Sequence, residues 1–167
     1  QEGGTPLMLA CKLDNADLVK KMQEMNAKGG VRPDGVTVIN IALKRKCLPV
    51  LKVLLKQNKP TALDFKIAAQ ECSEEFLFLL SSKNGFYHST LSQDNLLHIA
   101  LRSGNIPGAL WLATQSAFVN GLNVDQETPF ELATFLGAWN VAEVLLNHGA
   151  VPNLNQLLQV PYHPLVK

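Results

Sequence analysis

The stretch that decides the fold is "TPFELATFLGAWNVAEVLLNHGA", residues 128–150. Thr128 is placed to cap a helix with its hydroxyl, and Pro129 takes the first helical position, where no backbone donor is needed. Gly137 then provides a typical helix stop. A second helix is predicted by apolar residues at helical spacing: Val141, Val144 and Leu145. The stretch therefore predicts two short helices joined by a turn, and it contains few residues of the types that carry catalysis.

The same pattern recurs upstream. The related stretches are "TPLMLA" (5–10), "TVINIA" (37–42), "LDFKIA" (63–68), "NLLHIA" (95–100) and "TPFELA" (128–133). Their alanines, Ala10, Ala42, Ala68, Ala100 and Ala133, are spaced by 32, 26, 32 and 33 residues. A period near 33 is typical of a stacked repeat array. One helix pair cannot bury its own apolar stripe, so the units are predicted to stack as a solenoid.

The predicted units share signals for the start and the end of their helices. Thr5 and Pro6 should open the first helix of the chain as Thr128 and Pro129 open a later one. Pro49 and Pro107 suit the first turn of second helices. The predicted stops of first helices are Asp14, Lys46, Cys72, Gly104 and Gly137. β-turn fingers are predicted at 29–36, 84–95 and 120–127, whereas the segment 57–62 is too short for one.

These units resemble the ankyrin repeat, most clearly in "DQETPFELATFLGAWNVAEVLLNHGA" (125–150) and "DGVTVINIALKRKCLPVLKVLLKQN" (34–58). The resemblance implies an all-α solenoid of stacked helix–turn–helix ankyrin repeats with short β-turn fingers. It assigns residues 1–150 to an ankyrin repeat domain and residues 151–167 to a C-terminal capping turn and tail. The units lie near 3–33, 34–60, 61–90, 94–122 and 125–150, the third being degenerate. His98 falls at the family's histidine, which implies a hairpin anchor; the other units hold Met8, Asn40, Lys66 and Glu131 there.

Composition predicts a folded, cytoplasmic protein. Of 167 residues, 47% are hydrophobic and 17% are charged, which excludes a wholly disordered chain. No run of 18 apolar residues occurs, which argues against a membrane span. Three widely spaced cysteines and the lack of an Asn-x-Ser/Thr sequon favour a reducing compartment. A start without Met or signal peptide favours a chain cut from a longer protein.

Residues that could carry catalysis are scarce, and the prediction is a protein that is not an enzyme and has no metal or cofactor. No zinc-ligand spacing, phosphate-binding glycine loop or nucleophile elbow occurs. Cys11, Cys47 and Cys72 are expected to act as small hydrophobic residues, and His148 as a helix C-terminal side chain. Glu74 and Glu75 are expected to favour a helix N-terminus. A nucleophilic pair of Cys72 with His98 stays open, because such partners meet in space rather than in sequence.

The predicted partner-binding residues follow from the ankyrin resemblance, which implies a concave face lined by the positions after each alanine and by the finger tips. They are Lys12, Leu13, Arg32, Asp34, Lys44, Arg45, Gln70, Glu71, Tyr87, His88, Arg102, Asp125, Gln126, Glu127, Phe135 and Leu136, with Ser103 beside Arg102. Phe135 and Leu136 have the chemistry of a binding hot spot with a charged rim. An alternative is that the tail 151–167 covers them.

The predicted function is a protein–protein interaction module, binding one or more partner proteins through the concave face as the recognition part of a larger multidomain protein. The alternative is a fragment of an ankyrin-containing effector that bacteria secrete into the host cytosol, with any catalytic domain elsewhere. Residues 1–60 carry 11 Lys/Arg against 5 Asp/Glu, so binding of nucleic acid or an anionic membrane is a further alternative, disfavoured because aromatic residues are not interleaved with the lysines. A Cys-dependent enzyme is the last alternative. No small-molecule substrate is expected.

Overall fold

The structure is a computed structural model that describes residues 4–27, 29–84, 94–115 and 118–152. In these ranges the protein is all-helical, with ten α-helices and no strand, as the sequence predicts at the level of fold class. The helices are α1 (Pro6–Lys12), α2 (Ala16–Glu24), α3 (Val38–Lys44), α4 (Leu48–Leu54), α5 (Ala62–Glu71), α6 (Glu74–Asn84), α7 (Leu96–Arg102), α8 (Ile106–Ala113), α9 (Pro129–Phe135) and α10 (Trp139–Asn147). None of the helices described is both long and apolar enough to cross a membrane.

The chain divides into two compact units, Gln1–Phe86 and Tyr87–Lys167. In the first unit, α3 packs against α1, α4 and α5, while α2 packs against α4. In the second unit, α7 packs against α8 and α9, and α10 packs against α8 and α9. Within each unit, consecutive helix pairs therefore contact one another. Their facing sides bury the core, which includes Leu51 and Phe65 in the first unit and Leu97, Phe118 and Leu145 in the second.

The helix starts follow the predicted cap chemistry. The Thr5 hydroxyl accepts from the backbone N–H of Met8, and the Thr128 hydroxyl accepts from that of Glu131. Each threonine occupies one of the backbone donors that a helix start otherwise leaves without a partner. The two prolines after these threonines and the prolines of α4 and α8 lie in first turns, as predicted.

The predicted helix stops are confirmed, since each lies just after the last residue of a first helix. The backbone is left-handed at Asp14 (φ 55°), Lys46 (φ 54°), Gly104 (φ 70°) and Gly137 (φ 71°). Cys72 is the C-cap of α5 and, unlike the other four residues, has an extended backbone, with φ −105° and ψ 159°. Helix α5 ends there because the chain turns directly into Ser73 and the next helix, so no left-handed residue is needed.

Helix α5 begins before the aligned stretch 63–68 but within the bounds predicted for the third unit, 61–90. Thr61, and not Leu63, is the N-cap of α5, and the reciprocal side chain of its capping box is that of Asp64. Lys66, predicted at the histidine position, is exposed. The physical reason is that the Thr61 hydroxyl can accept from a helix N–H, whereas a leucine side chain cannot. The result is a helix of 10 residues where the other first helices have 7.

Two of the predicted fingers are turns closed by backbone hydrogen bonds. In the first, the N–H of Arg32 donates to the carbonyl of Val36 (3.0 Å), and Val31 and Thr37 form an isolated antiparallel bridge. In the second, the N–H of Asn123 donates to the carbonyl of Glu127 (3.1 Å). The segment between α4 and α5 is short, as predicted. Most of the finger predicted at 84–95, and the tail from residue 153 onward, lie outside the described residues.

Candidate functional site

The predicted partner-binding pairs occupy equivalent places in four helix pairs. In α1, α3, α7 and α9, the first member of the pair is the last helical residue and the second is the C-cap. All eight side chains are exposed: Lys12 and Leu13, Lys44 and Arg45, Arg102 and Ser103, Phe135 and Leu136. In the third unit the register differs, since Glu71 ends α5 and Gln70 is half-buried one residue earlier. Side chains of very different chemistry thus share one structural position.

In the first unit this surface is mainly basic. Lys12 lines a pocket of about 190 Å³ with Met8, Leu9 and Arg32. Leu9 is 59% exposed, so the pocket has an apolar wall beside two cations. Arg32, half-buried, pairs with Asp34 at 3.2 Å.

Arg45 forms an intramolecular ion pair with Asp14. Its Nε lies 3.1 Å from Asp14 Oδ2, and this hydrogen-bonded pair joins the turns that follow α1 and α3. The hydrogen bond from Arg45 lowers the pKa of the Asp14 carboxyl below its usual 3.8. Arg45 therefore links two neighbouring helix ends, and Lys12 and Lys44 are the exposed cations at the last helical positions.

In the second unit the surface combines acidic and apolar groups. Arg102 Nη2 lies 3.1 Å from Asp125 Oδ2 and 3.4 Å from Glu127 Oε2, and Arg102 Nε lies 3.9 Å from Asp94 Oδ2. One guanidinium therefore gathers three carboxylates, two of them from the turn before α9. Gln126, also predicted here, is exposed with a left-handed backbone (φ 61°).

A pocket of about 400 Å³ lies beside these charges. Arg102 lines it together with Leu101, Ile106, Leu136 and Asn140. Leu136 is 47% exposed, and Phe135, its neighbour in the chain, is 71% exposed, which is high for side chains of this size. Among the residues that the structure describes, nothing covers Phe135; the proposed cover, the tail, is described only to residue 152. The predicted residues Tyr87 and His88 also fall outside the described part of the chain.

His98 is a buried structural anchor, as predicted. Its Nδ1 accepts from the backbone N–H of Asn95 at 3.2 Å, so the proton lies on Nε2, which donates to the carbonyl of Glu127 at 3.1 Å. Burial lowers the pKa of His98 below 6.5, although the hydrogen bond to Glu127 opposes this. The neutral imidazole thus ties the start of α7 to the turn before α9.

Sequence reasoning missed Asp64, which performs the same task in the first unit. Its carboxylate is fully buried and accepts from the Thr61 N–H and hydroxyl, both at 2.7 Å. It also accepts from the Thr37 hydroxyl at 3.3 Å and from the Asn40 side-chain amide. Asp64 therefore joins the starts of α3 and α5. The available signal was the spacing Thr61-x-x-Asp64, which has the form of a capping box.

Cys11, Cys72 and His148 have the surroundings of structural residues. Burial raises the pKa of both Cys11 and Cys72 to about 11, which keeps them as thiols at neutral pH, and Cys72 Sγ lies 3.6 Å from the carbonyl of Leu43. His148 Nδ1 donates to the carbonyl of Val144 (2.8 Å) at the end of α10. In the described ranges, no cluster of His, Cys, Asp and Glu has the arrangement of a metal site.

Compared with models of known protein families and with curated proteins, the chain matches none.

Proposed function

We propose that this chain is an ankyrin-repeat solenoid whose concave face binds a partner protein, and that it is the recognition part of a larger cytoplasmic protein without catalysis of its own. The observation that carries the proposal is the equivalence of four exposed pairs at the ends of α1, α3, α7 and α9. A repeated position that is always exposed but carries lysine, arginine, serine, phenylalanine or leucine is suited to recognition, because the scaffold stays constant while the chemistry varies.

The scaffold supports recognition because it holds these side chains in place. Helix ends next to buried cores lose little freedom when a partner binds, which lowers the entropic cost of association. The networks around Asp64 and His98 fix neighbouring helix starts in the same way. Exposed Phe135 supplies the large apolar area that binding hot spots need.

The surroundings of Cys11 and Cys72 support binding over catalysis that depends on Cys72. A nucleophilic cysteine has a lowered pKa and an accessible sulfur. Cys11 and Cys72 are buried with raised pKa values, which is the opposite combination.

Affinity capture from a cytosolic lysate tests this proposal. The double variant Lys44→Glu, Phe135→Ala changes one helix-end residue in each unit. The matched control Lys52→Glu, Leu146→Ala makes the same kind of change at exposed positions in α4 and α10. Both variants are first shown to melt as the wild type does, and captured proteins are identified by mass spectrometry.

We expect a protein captured by the wild type and the control but lost from the Lys44→Glu, Phe135→Ala variant. Equal loss from both variants, or from neither, would contradict binding through the helix-end positions.

A further inference from the structure

The second unit has a charge imbalance that is concentrated beside its pocket. Residues 94–152 contain one Lys or Arg, Arg102, against five Asp or Glu. The single guanidinium of Arg102 contacts three carboxylates, those of Asp94, Asp125 and Glu127, so acidic groups outnumber the basic group in this cluster. The side chain of Asp125 is 59% exposed, and its charge therefore faces solvent.

These carboxylates and the apolar groups belong to one surface. Arg102 lines the pocket with Leu136 and at the same time reaches Asp125 Oδ2 and Glu127 Oε2. The carboxylates of Asp125 and Glu127 therefore contact a residue that lines the pocket wall. We call this surface, formed by Leu136, Phe135 and Arg102 with Asp125 and Glu127, the acidic groove.

We propose that the acidic groove binds a partner segment in which a large apolar side chain is flanked by lysine or arginine. This inference rests on the proposed function and names the chemistry of the partner in the second unit. The apolar side chain would enter the pocket beside Leu136 and remove Phe135 from water, which supplies affinity. The flanking cations would meet Asp125 and Glu127, which supplies orientation and a faster encounter.

Four other occupants fit the surface less well. Nucleic acid and anionic membranes present negative charge, which the carboxylates of the groove repel. An acidic protein segment meets the same repulsion. A second copy of this chain is more compatible, because its unit Gln1–Phe86 exposes Leu9 and Leu13 beside Lys12. We favour a separate partner because its binding does not require the chain to self-associate.

A phage-displayed library of random dodecapeptides, selected on the whole chain at low salt, provides the probe. We expect the enriched peptides to contain leucine or an aromatic residue next to lysine or arginine. Affinities of synthetic copies are then measured by fluorescence anisotropy at low and at physiological salt. Because exposed charges are screened over about 8 Å at physiological salt, binding should weaken as salt rises.

Matched variants locate the binding site. Leu136→Ser should weaken binding about tenfold, as loss of an anchor contact does. Leu146→Ser is its control, because both leucines are 47% exposed and only Leu136 lines the pocket. Asp125→Lys should weaken binding and flatten its salt dependence, whereas Glu143→Lys makes the same charge change on the exposed surface of α10 with little effect.

Several results would overturn the inference: no enriched peptide, enrichment of acidic peptides, or equal effects of each variant and its control. Peptides that respond only to Lys44→Glu would also reject the acidic groove but leave the proposed function standing. Basic peptides bound at the groove without any captured protein would support the groove and count against the proposed function. Concentration-dependent assembly in sedimentation that Asp125→Lys abolishes would show that the occupant is a second copy.

Discussion

At the residue scale, two buried titratable side chains, one acidic and one basic, each link neighbouring structural elements. Asp64 links the starts of α3 and α5, and His98 links the start of α7 to the turn before α9. Burial raises the pKa of the Asp64 carboxyl and lowers the pKa of the His98 imidazole, since in both cases it disfavours the charged form. The two linkers should therefore respond to pH in opposite directions.

For Asp64, we expect stability to fall as the pH rises. A folded-state pKa above the unfolded value of 3.8 means that the stability it contributes is full below pH 3.8 and is lost as pH rises through the folded pKa. The difference in melting temperature between wild type and Asp64→Asn should therefore decrease as the pH rises above 3.8 and through the folded-state pKa. Asp17→Asn, at an exposed acid in the first turn of α2, is the control. A difference that stays constant or increases would contradict the prediction.

For His98, we expect the reverse. Its lowered folded pKa means that the contribution is present above pH 6.5 and is lost as pH falls through the folded pKa. His98→Ala should cost about 3 kcal/mol at neutral pH, because two buried hydrogen-bonding groups lose their partner. Denaturant unfolding of wild type and variant measures the cost, and its decrease on acidification checks the sign. A cost that grows in acid would show that the buried imidazole is charged.

At the element scale, the ends of the first helices differ in how well the residue suits the backbone. Asp14 and Lys46 adopt left-handed φ values where the other pairs use Gly104 and Gly137. A non-glycine residue is strained there because its Cβ approaches the following carbonyl. Asp14 recovers part of that strain by pairing with Arg45, and it bridges two helix ends.

Lys46→Gly should stabilise the protein by about 1 kcal/mol, since relief of left-handed strain exceeds the added freedom of the unfolded chain. Gly104→Ala is the mirror experiment. A Cβ there would have open space, so its expected cost of about 1 kcal/mol is backbone strain alone. Urea unfolding of both variants measures these changes. A destabilised Lys46→Gly would mean that the lysine side chain contributes contacts that outweigh the strain.

At the scale of the whole molecule, the candidate recognition residues are distinct from the residues that form the core of each unit. Phe118 is fully buried, whereas Phe135, in the same compact unit, is 71% exposed. Within one unit, one phenylalanine therefore stabilises the core and another is available to a partner.

Phe118→Ala should lower the free energy of unfolding by about 4 kcal/mol, because it leaves a cavity in a packed core. Phe135→Ala should change it by less than about 0.5 kcal/mol, as exposed substitutions do. Chemical denaturation of the two variants provides the comparison. A large loss from Phe135→Ala would show that this ring is packed in solution and would remove it from the candidate binding surface.

The sequence by itself determined these features: Thr5 and Thr128 as caps, the turns after α1, α3, α7 and α9, the exposed helix ends and the anchor role of His98. The caps and turns depend on interactions within a few residues, so local chemistry predicts them. The exposed helix ends and the anchor role of His98, whose Nε2 donates to Glu127 29 residues away, followed instead from the ankyrin resemblance. Only the tertiary structure decided that Asp64 is buried against the start of α3 and that Arg102 contacts three carboxylates. Asp64 and Thr37 lie 27 residues apart, and Arg102 and Asp125 lie 23 residues apart. Their contacts arise only when neighbouring helix pairs pack, which spacing along the chain does not reveal.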